Sequence, residues 1–164
     1  MVTPASKKTA VRLAGIFAVF VLLFASAGFR SPRDSGDAGL VTERLNALYS
    51  RGPENGSLRK FEFTITSEGF FRYRKIYTNG KSEYFSFGIA RLADVRYLGT
   101  AASGRIIFTT RTDDIIVQTY NDPRGNVDSM ATDLSVPLRG AEAEDLQVIN
   151  SNLEKIRQQL QTSR

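Results

Sequence analysis

The chain has no cysteine, no histidine and no tryptophan. Without cysteine there is no disulfide scaffold, no thiolate nucleophile and no thiolate zinc site. Without histidine there is no Ser-His-Asp triad and no imidazole metal site. A Gly-x-Ser-x-Gly elbow and a phosphate-cradling glycine loop are missing as well. Nothing in the sequence implies a cofactor or a bound metal. Charge of one sign is scarce too. The net charge of +5 comes from 22 basic and 17 acidic residues. Three of the basic residues, Lys7, Lys8 and Arg12, lie in the first 27, which hold no acid, so the rest has a net charge of only +2. Nucleic-acid binding calls for a larger basic excess. With 41% hydrophobic and 24% charged residues, the chain is not disordered as a whole.

There is one long hydrophobic run, from Leu13 to Ala25, and Ala25-Ser26-Ala27 follows it. A basic start, an apolar stretch of this length and a small-x-small site make a signal peptide over residues 1–27. The alternative is an uncleaved membrane anchor, since the uncharged stretch reaches Phe29. Either way, the following domain lies outside the cytoplasm. The expected location is periplasmic or secreted, in a bacterial envelope. Contact with a membrane is expected only through an uncleaved N-terminal segment.

Residues 28–39, rich in Gly, Ser, Asp and Arg around Pro32, read as a flexible linker. A single domain over 40–164 follows. Val41, Leu45, Leu48 and Tyr49 form one face of a short helix, with Asp37 able to cap its start. From Arg59 the hydrophobic period changes to two. Seven candidate strands follow, at 59–66, 70–77, 81–89, 92–98, 104–110, 114–121 and 130–138. Gly88 marks a bulge or bend, and Pro137 must lie at a sheet edge or a strand end. Leu146, Ile149, Leu153, Ile156 and Leu160 then form the stripe of a C-terminal amphipathic helix. Its length favours packing on the domain's own core over a coiled-coil seam.

The first two hairpins have a register that can be derived. A two-residue loop at Asn79-Gly80 would place Arg72 and Arg74 opposite Phe87 and Phe85. Three-residue loops, Ser67-Glu68-Gly69 and Thr78-Asn79-Gly80, instead put each Gly in the left-handed position of a G1 bulge. They pair Ile65 with Phe71, Phe63 with Tyr73, Phe71 with Phe87, Tyr73 with Phe85 and Lys75 with Glu83. The inner face is then apolar. The outer face holds Glu62, Thr64, Arg72, Arg74, Ser82, Tyr84 and Ser86, with Glu62, Arg74 and Tyr84 in one cross-strand row.

The expected architecture is α+β: a seven-stranded antiparallel bent sheet or barrel capped by the last helix. The order of elements resembles the pleckstrin-homology-like fold, and Ile89-Ala90-Arg91-Leu92-Ala93-Asp94-Val95 is similar to the fourth strand of its bacterial members. That resemblance implies two bent sheets capped by the final helix, and a binding module more than an enzyme. Its lipid head-group site does not carry over, because Ser67-Glu68-Gly69 has no basic residue. The alternative architecture is a β-sandwich or half-barrel with a packed helix.

Carboxylates are the remaining candidates for catalysis. Asp113-Asp114 fit ordinary turn chemistry, and the run from Asn121 to Asp128 does not match calcium-loop spacing. No catalytic residue is assigned. The expected partner-binding residues are Arg72, Arg74, Tyr84 and Lys60, on one rigid face, for an unknown protein or an anionic glycan. The competing reading is a solvated face on which Glu62 neutralises Arg74. A binding or structural module is the expected function, and a hydrolase using a carboxylate-based site is the alternative.

Overall fold

A computed structural model describes residues 36–52 and 57–162. The expected signal peptide, 1–27, and most of the expected linker, 28–39, lie outside the described residues. Among the described residues no helix is long and apolar enough to cross a membrane.

The fold is α+β. Helix α1 (Asp37–Leu48) is followed by strands β1 (Leu58–Ile65), β2 (Phe70–Tyr77) and β3 (Ser82–Gly88). A short 3-10 turn, Ile89–Arg91, leads to β4 (Leu92–Gly99) and β5 (Gly104–Thr110). Then come β6 (Ile115–Tyr120), β7 (Asp128–Ala131), β8 (Asp133–Leu138) and helix α2 (Ala143–Thr162). The strands form two antiparallel sheets. One has the order β1-β2-β3-β6-β7 and the other β4-β5-β8.

The expectation of a seven-stranded bent sheet or barrel is corrected in strand count and closure: among the described residues eight strands form two antiparallel sheets, and no closed barrel results. The stretch 130–138 is two strands, not one. β7 pairs with β6 in the first sheet, β8 pairs with β5 in the second, and the chain changes sheets at Thr132. The stretch Ile89–Val95 likewise spans a change of sheet, so it is a turn followed by a strand start. Period-two patterning cannot reveal such a switch, because both halves alternate in the same way.

Three connections cross between the sheets: 89–91, 111–114 and Thr132. Hydrogen bonds join them at one corner. Thr110 donates its backbone N–H to the Thr132 carbonyl at 2.9 Å, and Arg111 donates to the Arg91 carbonyl at 3.1 Å. The Arg91 side chain pairs with Asp114 at 3.1 Å, and the Thr132 hydroxyl donates to Asp113. Asp113 and Asp114 are therefore corner fasteners.

The two hairpins match the derived register at every pair. Gly69 and Gly80 have φ of 78° and 87°, as G1 bulges require. Phe63, Phe71, Tyr73 and Phe87 are buried on the inner face. Phe63 stacks on Tyr73 at 4.4 Å and Phe71 on Phe87 at 4.9 Å. Phe108 of β5 lies 5.0 Å from Phe71 and 5.7 Å from Phe87, and so joins the sheets. Burial of aromatic side chains at this density is the main stabilising term.

Both helices complete the same core. Val41 and Leu45 of α1 are buried, as are Ile149, Leu153 and Ile156 of α2. The helices lie antiparallel, tied at one end by Asp37–Lys155 (3.5 Å) and at the other by Arg44–Asp145 (3.0 Å). α1 starts at Asp37, earlier than the apolar stripe suggested. Gly36 is its N-cap, and the Asp37 carboxylate reaches α2 instead of capping. Pro137 lies on β8, an edge strand, as its missing N–H demands. Gly88 ends β3, where the chain bends out of the sheet.

Candidate functional site

The outer face of the five-stranded sheet is built by alternation. With Phe71, Tyr73 and Phe87 committed inward, Arg72, Arg74 and Tyr84 must point outward. Pairing of β3 with β6, and of β6 with β7, then extends each row across all five strands. Glu62, Arg74, Tyr84, Gln118 and Asp128 form one row. Thr64, Arg72, Ser86, Ile116 and Met130 form the next.

Arg74 lies over the Tyr84 ring, 5.0 Å from its centroid, a cation–π contact. Tyr84 in turn meets Tyr120 edge-on at 5.3 Å. The Nε of Arg74 is buried and has no hydrogen-bond acceptor. Glu62 stands opposite Arg74 in the register, but its ion pair is with Lys60, at 3.4 Å. The fourth candidate, Lys60, is thus on the same face but already engaged. Arg72 is exposed. Its charge acts on Glu68, which is held below the ordinary range first by the Ser67 and Thr66 hydroxyls and only lastly by Arg72. Among the described residues, neither Arg72 nor Arg74 has a carboxylate within ion-pair distance.

Sequence reasoning missed the far half of this face. Ile116, Tyr120 and Met130 are 40%, 46% and 54% exposed. With Phe70, at 44%, they bracket the arginines by apolar surface. The signal was present in β6, where outward Ile116 alternates with inward Ile115 and Val117. Its placement beside β3 was not, because β4 and β5 intervene in the chain.

A second cluster sits at the open end of the inner face. Lys81 bridges Glu83 (2.9 Å) and Asp122 (2.8 Å), and Lys75 approaches Glu83 at 3.3 Å. The Tyr77 hydroxyl donates to Glu83 at 2.9 Å. Tyr77, Lys81, Glu83 and Asp122 line a depression of about 480 Å³ together with Asn79 and Arg124. Burial works to raise the Glu83 carboxyl, but the Lys81 hydrogen bond, the Lys75 charge and the Tyr77 hydroxyl outweigh it and hold it low. Asp122 is held low by Lys81 first and by the Arg124 backbone N–H next. Two acids do converge here, yet both are locked as anions on an ammonium between them. Asp122 belongs to the loop weighed as a calcium site, and its carboxylate is spent on Lys81.

No family model, curated protein or solved structure matches the chain. The geometry of these two surfaces therefore carries the functional argument alone.

Proposed function

We propose that the protein is an exported binding module of a bacterial envelope, periplasmic or secreted, that contacts a partner through the outer face of its five-stranded sheet. The basic, apolar and Ala-Ser-Ala series at the N-terminus supports export. The observation that carries the binding reading is Arg74: a guanidinium fixed on an aromatic ring, its Nε buried without an acceptor among the described residues, beside an exposed Arg72 that has no ion pair among them. Buried polar groups are normally satisfied, and Arg and Tyr are the side chains that concentrate binding energy at interfaces. The run of strands closed by α2 over the core also supports a pleckstrin-homology-like reading of the finer architecture.

The test is the double change Arg72→Ala with Arg74→Ala. A photo-crosslinker at Ser86, compared with one at Leu98 on the other sheet, reads partner contact in the native envelope. A discrete adduct at Ser86, absent at Leu98 and lost in the double variant, supports the proposal. Stability should move by only about 0.5 kcal/mol, as for most surface changes. Adducts identical in wild type and double variant would reject it.

One observation favours a second reading, a hydrolase using a carboxylate-based site: Glu83 and Asp122 meet in one depression. Against it, both acids are held charged, whereas a general acid needs a raised pKa. Glycan or ester turnover abolished by Glu83→Gln would establish the hydrolase.

A further inference from the structure

We infer that the outer face takes an acidic polypeptide segment, seating a carboxylate between Arg72 and Arg74 and an apolar side chain on Ile116 and Met130; this rests on the binding reading above. Charge complementarity is the first argument. Lys75, Lys81, Arg91 and Arg157 each have a carboxylate within 3.3 Å or less. Among the described residues Arg72 and Arg74 have none, as is true also of Arg51, Arg59, Arg105, Arg111 and Arg139, but Arg72 and Arg74 lie two apart on one face of one strand. Arginine presents a rigid fork that matches a carboxylate in two-point geometry. The Thr64 and Ser86 side chains flank Arg72 in its row and add hydroxyl partners.

The apolar half selects among acidic partners. An anionic glycan has no side chain to cover Ile116 and Met130. A lipid surface is met by apolar groups on protruding loops or helix faces, whereas these lie on the flat of a sheet. A second copy of the chain in a two-fold contact centred on these arginines would bring the same two arginines against them. A polypeptide supplies both chemistries. Neighbouring strands lie about 4.8 Å apart, so Arg72 and Met130, three strands apart in one row, are separated by about 14 Å. In an extended segment that is about four residues. The face thus asks for an acidic residue and an apolar one four positions apart. A segment of this kind would also lay its backbone across the strands, leaving the edge of β7 free.

The test titrates the full chain against fluorescein-labelled octapeptides with Glu and Leu four positions apart, read by anisotropy. Matched peptides carry Gln for Glu, Lys for Glu, or Ser for Leu. Binding of the Glu/Leu peptide is expected to weaken at least tenfold with the Gln or Ser peptide. Arg72→Glu should weaken it at least tenfold and restore binding of the Lys peptide. The pair Ile116→Ser with Met130→Ser should weaken it similarly, with a single cooperative melting transition retained in each variant. Equal binding of the Gln peptide would overturn the inference. So would stronger binding of polyglucuronate or phosphatidylglycerol vesicles through Arg72, or a dimer that Arg72→Glu dissociates. A persistent Ser86 adduct with no peptide binding would overturn this inference alone. Absence of a Ser86 adduct in the otherwise unsubstituted protein as well would overturn the binding reading beneath it.

Discussion

Gly69 and Gly80 hold the same place in two successive loops, at φ of 78° and 87°, yet their surroundings differ. A Cβ on Gly80 would meet nothing within 4 Å. One on Gly69 would collide with both methyl groups of Leu160 on α2. Left-handed backbone costs an L-residue about 1–2 kcal/mol. Gly80→Ala should therefore cost about 1 kcal/mol, Gly80→Val about 1–2 kcal/mol or more, and Gly69→Ala clearly more than Gly80→Ala. Urea denaturation of the three variants measures this, and equal costs at the two alanine sites would show that the Leu160 side chain turns aside without loss. At this scale the sequence was highly legible. Loop chemistry is local, and requiring one apolar face leaves a single register for Arg72, Arg74 and Tyr84. What could not be read was the state of Arg74. Its missing acceptor depends on Glu62 turning to Lys60, a choice of side-chain direction that no spacing encodes.

Lys81 pins an element rather than a residue. Through Asp122 it holds the loop between β6 and β7 against the hairpin of β2 and β3. Glu83 and Asp122 sit below their ordinary values of 4.5 and 3.8, so their contribution is full above those values and fades as pH falls through and below them. Lys81 sits above its ordinary 10.5, first through the Asp122 and Glu83 hydrogen bonds, so its contribution is full below 10.5 and fades as pH rises beyond it. Lys81→Met should lower the unfolding midpoint at neutral pH and flatten both the acid and the alkaline limb. A stability difference from wild type that stays constant down to about pH 2 would remove the network from the explanation. Helix α2 offers a second check. Leu153 is 2% exposed, so Leu153→Ala should cost about 2–5 kcal/mol in chemical denaturation. A cost under about 1 kcal/mol would mean the helix stripe packs elsewhere. The stripe and both hairpins were legible because each is local in sequence. The division of 130–138 at Thr132 was not, because its cause is the Thr110 backbone on another strand.

At the scale of the whole molecule, the N-terminal series predicts a mature chain that begins at Gly28. Intact-mass measurement of protein from the native envelope reads this directly. A full-length species embedded in the membrane would favour the anchor, and one in the cytosol would defeat export. Two layers were expected, but the assignment of strands to each was beyond sequence reading, because β3 meets β6 and β5 meets β8 only after intervening strands are in place. The corner where the three crossings meet has a consequence for the order of folding. Strand β8 reaches β5 across a span of chain that includes β6 and β7. Closing that span as free coil carries an entropy cost that grows with its length. Once β6 and β7 have zipped onto β3, however, Thr132 is delivered to Thr110 with almost no slack left. The small sheet is thus completed by the large one, and it should not outlast the large one on melting.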